Sequence, residues 1–220
     1  LIIDVVVSKS RQTRLKMENM ELELNHLMAK EAQLRNQLHP HFLFNALFTL
    51  KLLMDNPNKR QQADYYLNRL SSFLRNSIRH GSHDTITTAA ELDFCLGYLE
   101  LQKVRFGDAL DFKVEVSDKL LNQTNIPIFS LQLLVENAIK HNAFSKESPL
   151  EIRIEEFGEH QLQISNNLQP KQVIPNDSSG LGLTNLKNRF ALLGFKEPVL
   201  HQGMEPAKFV VTLNVLPIAP

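Results

Sequence analysis

The chain has 220 residues, 43% hydrophobic and 22% charged, with a formal net charge of zero; this is an ordinary globular make-up that excludes a disordered tail and gives no reason to expect nucleic acid or an anionic membrane as partner. That length accommodates one large domain or two small ones. The single cysteine, Cys95, excludes an internal disulfide and a multi-cysteine metal site; set among Leu92, Leu96 and Leu99 at helical spacing, it reads as a buried, inert thiol in a reducing compartment.

The chain starts at Leu1 without an initiator methionine and is expected to be a fragment. The opening LIIDVVV carries Asp4 and falls well short of the roughly 20 apolar residues of a membrane span. It reads either as the inner end of a preceding span or as a cloning remnant.

Residues 10–39 place Met17, Met20, Leu24, Leu27, Leu34 and Leu38 at alternating spacings of three and four, with Glu31 in the one polar slot. This heptad seam predicts a parallel coiled coil; the plain alternative is a solvated amphipathic helix. Pro40 interrupts it, and HFLFNALFTLKLLM continues with a denser apolar face. Turn residues at 55–58 end this arm, and a second helix over 61–79 carries Tyr66, Leu67, Leu70, Leu74 and Ile78 on one side. Two such antiparallel helices make half a four-helix bundle, which a second copy would complete.

A third helix is predicted from Thr88 to about Phe106, with the Thr88 hydroxyl as cap and Glu91 reaching back to close a capping box. From residue 108 the texture changes. DFKVEV at 111–116 alternates as a strand, Pro127 is read as opening an apolar helix, and strands are expected at 150–157 and 160–166. A polar loop follows over 167–179, then a glycine-led helix over 180–194 and a last strand in AKFVVTLNV. Mixed in this order, the elements predict an α/β sandwich after an all-α half.

Three stretches carry candidate chemistry. In PHFLFN, Pro40 bends the chain and His41 follows directly; a neutral imidazole near pH 7 is a competent nucleophile, and Asn45 one turn on could orient the ring. In LVENAIKHN, Glu136 and Lys140, and Asn137 and His141, form two i, i+4 pairs beside an apolar stripe of Leu131, Leu134, Val135 and Ala138. An Asn amide oxygen can ligate Mg²⁺ alongside phosphate oxygens, and Lys140 can meet phosphate as a point charge. In SSGLGLTNLKNR, Gly180 and Gly182 allow close backbone approach to the start of a helix, whose free amides suit an anion. It is neither a P-loop nor a Rossmann fingerprint. Taken singly, these stretches have bland readings too: a helix-end histidine, a solvated polar face, an ordinary helix entrance.

Taken in order, the chain resembles the LytS/YehU class of sensor histidine kinases, a bacterial family with helical dimerisation before a GHKL-type ATP-binding domain. QLHPHFLFNAL (37–47) is similar to that family's phosphoacceptor box, YLELQKVRF (98–106) to its connector helix, SLQLLVENAIKHN to its N box and SGLGLTNLKNRFALLG to its second glycine box, together covering roughly residues 30–213. The resemblance implies an α+β, two-domain architecture: a signalling helix or coiled coil at 1–39, dimerisation and phosphotransfer helices with a connector at 40–107, and a GHKL-type sandwich at 108–220. It implies that His41 is the phosphoacceptor assisted by Asn45, that Asn137 is the Mg²⁺ ligand, and that Glu136, Lys140 and His141 line the nucleotide site. Gly180, Gly182 and Leu183 would close over the phosphates of ATP, with Asn185 and Arg189 nearby.

Implied partners are a second copy of the chain and the receiver domain of a LytTR-type response regulator, on the cytoplasmic side of an inner-membrane sensor. Two departures from the family pattern involve three positions: Asn166 and Leu168 stand where an adenine-reading Asp and a Gly are expected, and Phe42 follows the phosphoacceptor where many histidine kinases carry an acidic residue. An Asn carbonyl accepts the adenine amino hydrogen bond without charge assistance. A signalling dimer with a degenerate nucleotide site is the competing reading; an ATPase of the gyrase or mismatch-repair type would share the later boxes but has no use for PHFLFN.

Overall fold

The structure, a computed structural model, describes residues 40–80, 83–171, 181–204 and 207–218. The heptad seam at 10–39, His39 and Gly180 lie outside those residues, as does the side chain of His41. The chain divides into two units, Leu1–Asn45 and Ala46–Pro220. The described part of the first is the opening of helix α1 (Pro40–Met54), with Pro40 at its start, where the missing N–H has no helical partner to lose.

In the second unit α1 continues through Ala46, Thr49 and Leu53, all buried at helical spacing. A turn follows in which the Asn56 side chain accepts from the Asn58 N–H at 3.0 Å. Helix α2 (Arg60–His80) buries Ala63, Tyr66, Leu70, Phe73 and Ser77. This stripe is rotated from the one the sequence suggested. Tyr66 and Leu70 belong to both, but Leu67 and Ile78 are 47% and 71% exposed.

Strand β1 (Thr85–Thr87) leads into helix α3 (Thr88–Phe106). The predicted capping box is corrected here. The cap is Thr87, whose side chain accepts from the Ala90 N–H at 3.2 Å, while Thr88 is buried and its hydroxyl lies 2.7 Å from that of Thr124. A three-residue 3₁₀ turn leads to β2 (Leu110–Glu115), followed by the short helix α4 (Asp118–Gln123) and β3 (Thr124–Pro127). Pro127 therefore ends a strand rather than opening a helix. Its neighbours pair antiparallel with β1, Ile86 opposite Ile126, and Ile126 is fully buried. Helix α5 begins only at Ser130 and runs to His141.

Strands β4 (Leu150–Glu156) and β5 (Gln161–Asn167), helix α6 (Leu181–Leu192), and strands β6 (Val199–Met204), β7 (Ala207–Asn214) and β8 (Leu216–Pro217) complete the unit. The main sheet has the order β2-β4-β5-β7-β6, with β2 and β4 parallel and the other pairs antiparallel; a small sheet has the order β1-β3-β8. A parallel pair needs a crossover, and α5 lies on it, contacting β4 and β5. Leu150, Ile152 and Ile154 of β4 and Leu162 and Ile164 of β5 are buried at every second position and pack under the helices. Leu131, Leu134, Val135 and Ala138 of α5 are buried as the periodicity implied. Each such side chain, fully buried, stabilises the fold by about 1.5–3 kcal/mol before entropy is subtracted. The result is the predicted helical hairpin followed by an α/β sandwich.

Candidate nucleotide site

The alternation of β5 breaks its own rule at one place. After Leu162 and Ile164, the next inward position is Asn166, a polar residue only 5% exposed. An amide on the core face of a strand costs free energy unless its hydrogen bonds are met. Its Nδ2 donates to the Asn167 carbonyl at 2.6 Å, and its register partner on β7 is Phe209.

Asn166 and Phe209 form the floor of a cavity of about 200 Å³, also lined by Asn137, Ala138, His141, Asn142, Leu168, Pro170 and Leu183. The lining comes from α5, β5, the segment after it, α6 and β7. Four residues singled out from sequence therefore meet there: Asn137, His141, Asn166 and Leu183. Asn142, Pro170 and Phe209 were not anticipated. Leu168, noted only as a departure, is in the wall.

The cavity rim is held by an uninterrupted set of bonds. Asn142, buried just after α5, donates from Nδ2 to the Ala138 carbonyl at 2.7 Å and accepts from the Gln169 N–H at 2.7 Å. The Ala143 N–H donates to the Gln169 carbonyl, and the Lys171 N–H donates to the His141 carbonyl. Carbonyls at the end of α5, which no helical turn can satisfy, are thus used to fix the segment 168–171. That pairing shapes the wall containing Leu168 and Pro170.

Gly182, in the first turn of α6, lies against Asn137. A Cβ built on it would stand 3.7 Å from Asn137 Nδ2 and 3.9 Å from the Leu133 side chain, ordinary van der Waals distances, so α6 packs on α5 here without the approach requiring a glycine. Asn185 is exposed on α6 and Lys140 is exposed on α5; neither is in the cavity wall. Glu136 is half-buried and accepts from Gln132 Nε2 at 2.8 Å, again outside the wall. Arg189 is two turns beyond Gly182; burial lowers its pKa, opposed by the charge of Glu91.

Glu91 itself is fully buried. It accepts from the Phe129 N–H at 2.8 Å and the Leu131 N–H at 2.9 Å, two free amides at the start of α5. Those bonds explain why Phe129 adopts a left-handed φ of 59°, unusual for a residue with a side chain. Its ring packs on Phe94 of α3 at 5.2 Å, and Phe94 stacks on Phe73 of α2 at 4.6 Å. Burial pushes the Glu91 carboxyl up to about 7, against the opposing pull of the amides and of Arg189.

The walls are three amides, one imidazole and apolar side chains, with no carboxylate, lysine or arginine among the lining residues. No group of three or more His, Cys, Asp or Glu that could hold a metal by itself occurs among the described residues. A Mg²⁺ ion fits Asn137 only in company with phosphate oxygens and water, the habit of that cation in nucleotide sites. The amide groups beside the Phe209 ring suit a purine base.

The histidine kinase family pattern matches residues 29–110. The sensor protein LytS of Streptococcus mutans is 34% identical over 192 residues, covering 79% of this chain and 32% of that protein. Sensor histidine kinase BtsS of Escherichia coli K12 is 34% identical over 159 residues, covering 71% of this chain and 28% of that protein. The chain spans about a third of the length of the curated relatives it matches. A solved structure of full-length ShkA in complex with AMPPNP matches with a TM-score of 0.39 and 16% identity, over 86% of this chain and 47% of that one. The chain belongs to the LytS/BtsS family of sensor histidine kinases, and it corresponds to the catalytic region of a two-component sensor. No helix among the described residues is long and apolar enough to cross a membrane.

Proposed function

We propose that this chain binds Mg·ATP in the cavity beneath α5 and phosphorylates His41, for later transfer to an Asp on the receiver domain of a LytTR-type response regulator. The observation that carries this reading is the convergence of Asn137, His141, Asn166 and Leu183, from separate stretches of sequence, on one cavity. Asn166 offers its carbonyl to the amino group of adenine, with Phe209 and Leu168 against the ring. Asn137 is where the Mg²⁺ would be held, and that ion would neutralise phosphate charge during transfer. Gly182 and Leu183 would approach the phosphates from the start of α6, next to Gly180 in sequence.

In the transfer itself a nitrogen of His41 forms a bond to the γ-phosphorus as the bond to the ADP oxygen breaks. Catalysis rests on positioning and charge neutralisation. Asn45, one turn beyond His41, orients the ring, and Glu136, Lys140, Asn185 and Arg189 support the site from the two helices.

The active form is a homodimer on the cytoplasmic face of a membrane sensor. It comprises a signalling helix at 1–39, phosphotransfer and connector helices at 40–107 and a nucleotide domain at 108–220. Exposed Leu47, Phe48, Leu52, Leu67 and Ile78 supply the apolar surface for a four-helix bundle.

Calorimetry with ATP and Mg²⁺ tests the nucleotide half of this reading. The wild type is expected to bind, and Asn137→Ala to lose the Mg²⁺-dependent part of the affinity, about tenfold or more. Equal Mg²⁺-dependent affinity in both proteins would remove Asn137 from the site.

A further inference from the structure

We propose that Glu91 is a positioning residue for the nucleotide cavity: it fixes the start of the Asn137-bearing helix α5, and with it the approach of Asn137 to Gly182 of α6. The inference rests on the nucleotide reading above, but its geometry is independent of it.

Glu91 belongs to the connector helix α3, not to the cavity wall. Its two carboxylate oxygens each accept from a different amide at the beginning of α5, Phe129 and Leu131. Asn137 lies six residues beyond Leu131, about 9 Å along the same rigid helix. A tilt or shift at the start of α5 therefore moves Asn137 relative to Gly182, whose Cβ position is only 3.7 Å from its amide. Arg189, on the same helix as Gly182, has its Nε buried with no hydrogen-bond partner, and its charge acts on Glu91. One buried carboxylate thus holds the start of the helix that carries Asn137, the residue against which Gly182 packs.

Helix α3 is in turn joined to α2, where Arg69 pairs with Glu100 at 2.7 Å and Phe73 stacks on Phe94. Helix α3, which carries Glu91, thus lies between the hairpin helix α2 and the start of α5. A neutral carboxyl cannot do the same work. Once protonated, one of its oxygens carries a hydrogen and no longer accepts well from the amides it faces, so the cap on Phe129, Leu131 and Gln132 is weakened. The charged group acting on it is Arg189 of α6; the Cys95 thiol, one turn on in α3, is pushed well up by burial and by the charges of Glu91 and Glu136.

The test uses the full chain, wild type and Glu91→Gln, with Mg·ATP calorimetry between pH 6 and 9. Above pH 8 the variant is expected to bind about three- to tenfold more weakly, because its amide can accept from only one of the two N–H groups. The gap should close below pH 7, where the wild type also loses one acceptor. Equal affinity throughout, or a gap that does not change with pH, would overturn the proposal.

If Glu91→Gln does not fold, amide NMR on the wild type gives the same answer. The Leu131 N–H and the Asn137 side-chain amide should titrate together, with the midpoint of Leu131 and not that of the His141 ring. A Leu131 titration that leaves Asn137 unmoved, or that Asn137 does not share, contradicts the positioning role. Should the wild type bind no Mg·ATP at any pH, the nucleotide reading fails, while a shared titration of Leu131 and Asn137 still supports the link.

Discussion

Asn166 and Phe209 are register partners across β5 and β7, and both side chains line the same cavity. A polar group here interrupts an otherwise apolar face, beside an aromatic ring suited to a base. Replacing Asn166 by Asp changes two terms of opposite sign. In the free protein a carboxylate would replace an amide that donates to the Asn167 carbonyl at 2.6 Å, so the variant is expected to be less stable by about 1–3 kcal/mol. With ATP bound, a charged acceptor facing the adenine amino group should gain up to about 1–2 kcal/mol, a factor of about five to thirty. GTP presents an oxygen at that position and should gain nothing. Calorimetry with both nucleotides on both proteins checks this; four unchanged affinities would mean that Asn166 does not touch the base.

The raised Glu91 carboxyl makes a separate prediction about stability. Its pKa rises from 4.5 to about 7 on folding, so between those values the unfolded chain has released a proton that the folded chain still holds. Stability therefore falls as pH rises through that window and levels off above it. At about 1.4 kcal/mol per unit the whole effect is about 3 kcal/mol. Glu91→Gln should flatten this slope in denaturant melts between pH 4.5 and 7. A slope that persists in the variant would assign it to another group.

The hairpin helices carry an apolar face that the rest of the second unit leaves open. Phe48 is 61% exposed, and Leu47, Leu52, Leu67 and Ile78 are also open. Such a surface, in line with α1 and α2, fits a second copy of the hairpin. Leu67→Glu with Ile78→Glu is expected to weaken self-association at least tenfold in sedimentation while leaving the melting temperature of the nucleotide unit nearly unchanged. A wild-type chain that stays monomeric at high concentration would contradict the dimer.

Much of this was legible from local pattern. The strands at 150 and 160 announce themselves by strict alternation, and α5 by its apolar stripe, because one face of each meets the core directly. Asn166 could be found as the amide that breaks that alternation. The parts that were not legible depend on contacts distant in sequence. Glu91, three residues after Thr88, has the spacing of a capping box, and nothing local reveals that its oxygens go to residues 38 and 40 positions away. Pro127 looks like a helix opener until Ile126 is seen paired with Ile86. β6 (VLHQGM) was missed because it is an edge strand, paired on one side only, with Val199 and His201 exposed and little apolar alternation to betray it. Asn142 and Phe209 gain their roles only when the segment after β5 folds back on the end of α5.

The most direct measurement is incubation of the full chain with radiolabelled ATP and Mg²⁺, comparing the wild type with His41→Gln. The wild type should acquire an acid-labile, base-stable phosphate, and the variant should bind ATP normally yet remain unlabelled. A His41→Gln protein that labels as well as the wild type, with His39 the first alternative acceptor to examine, would contradict the assignment of His41.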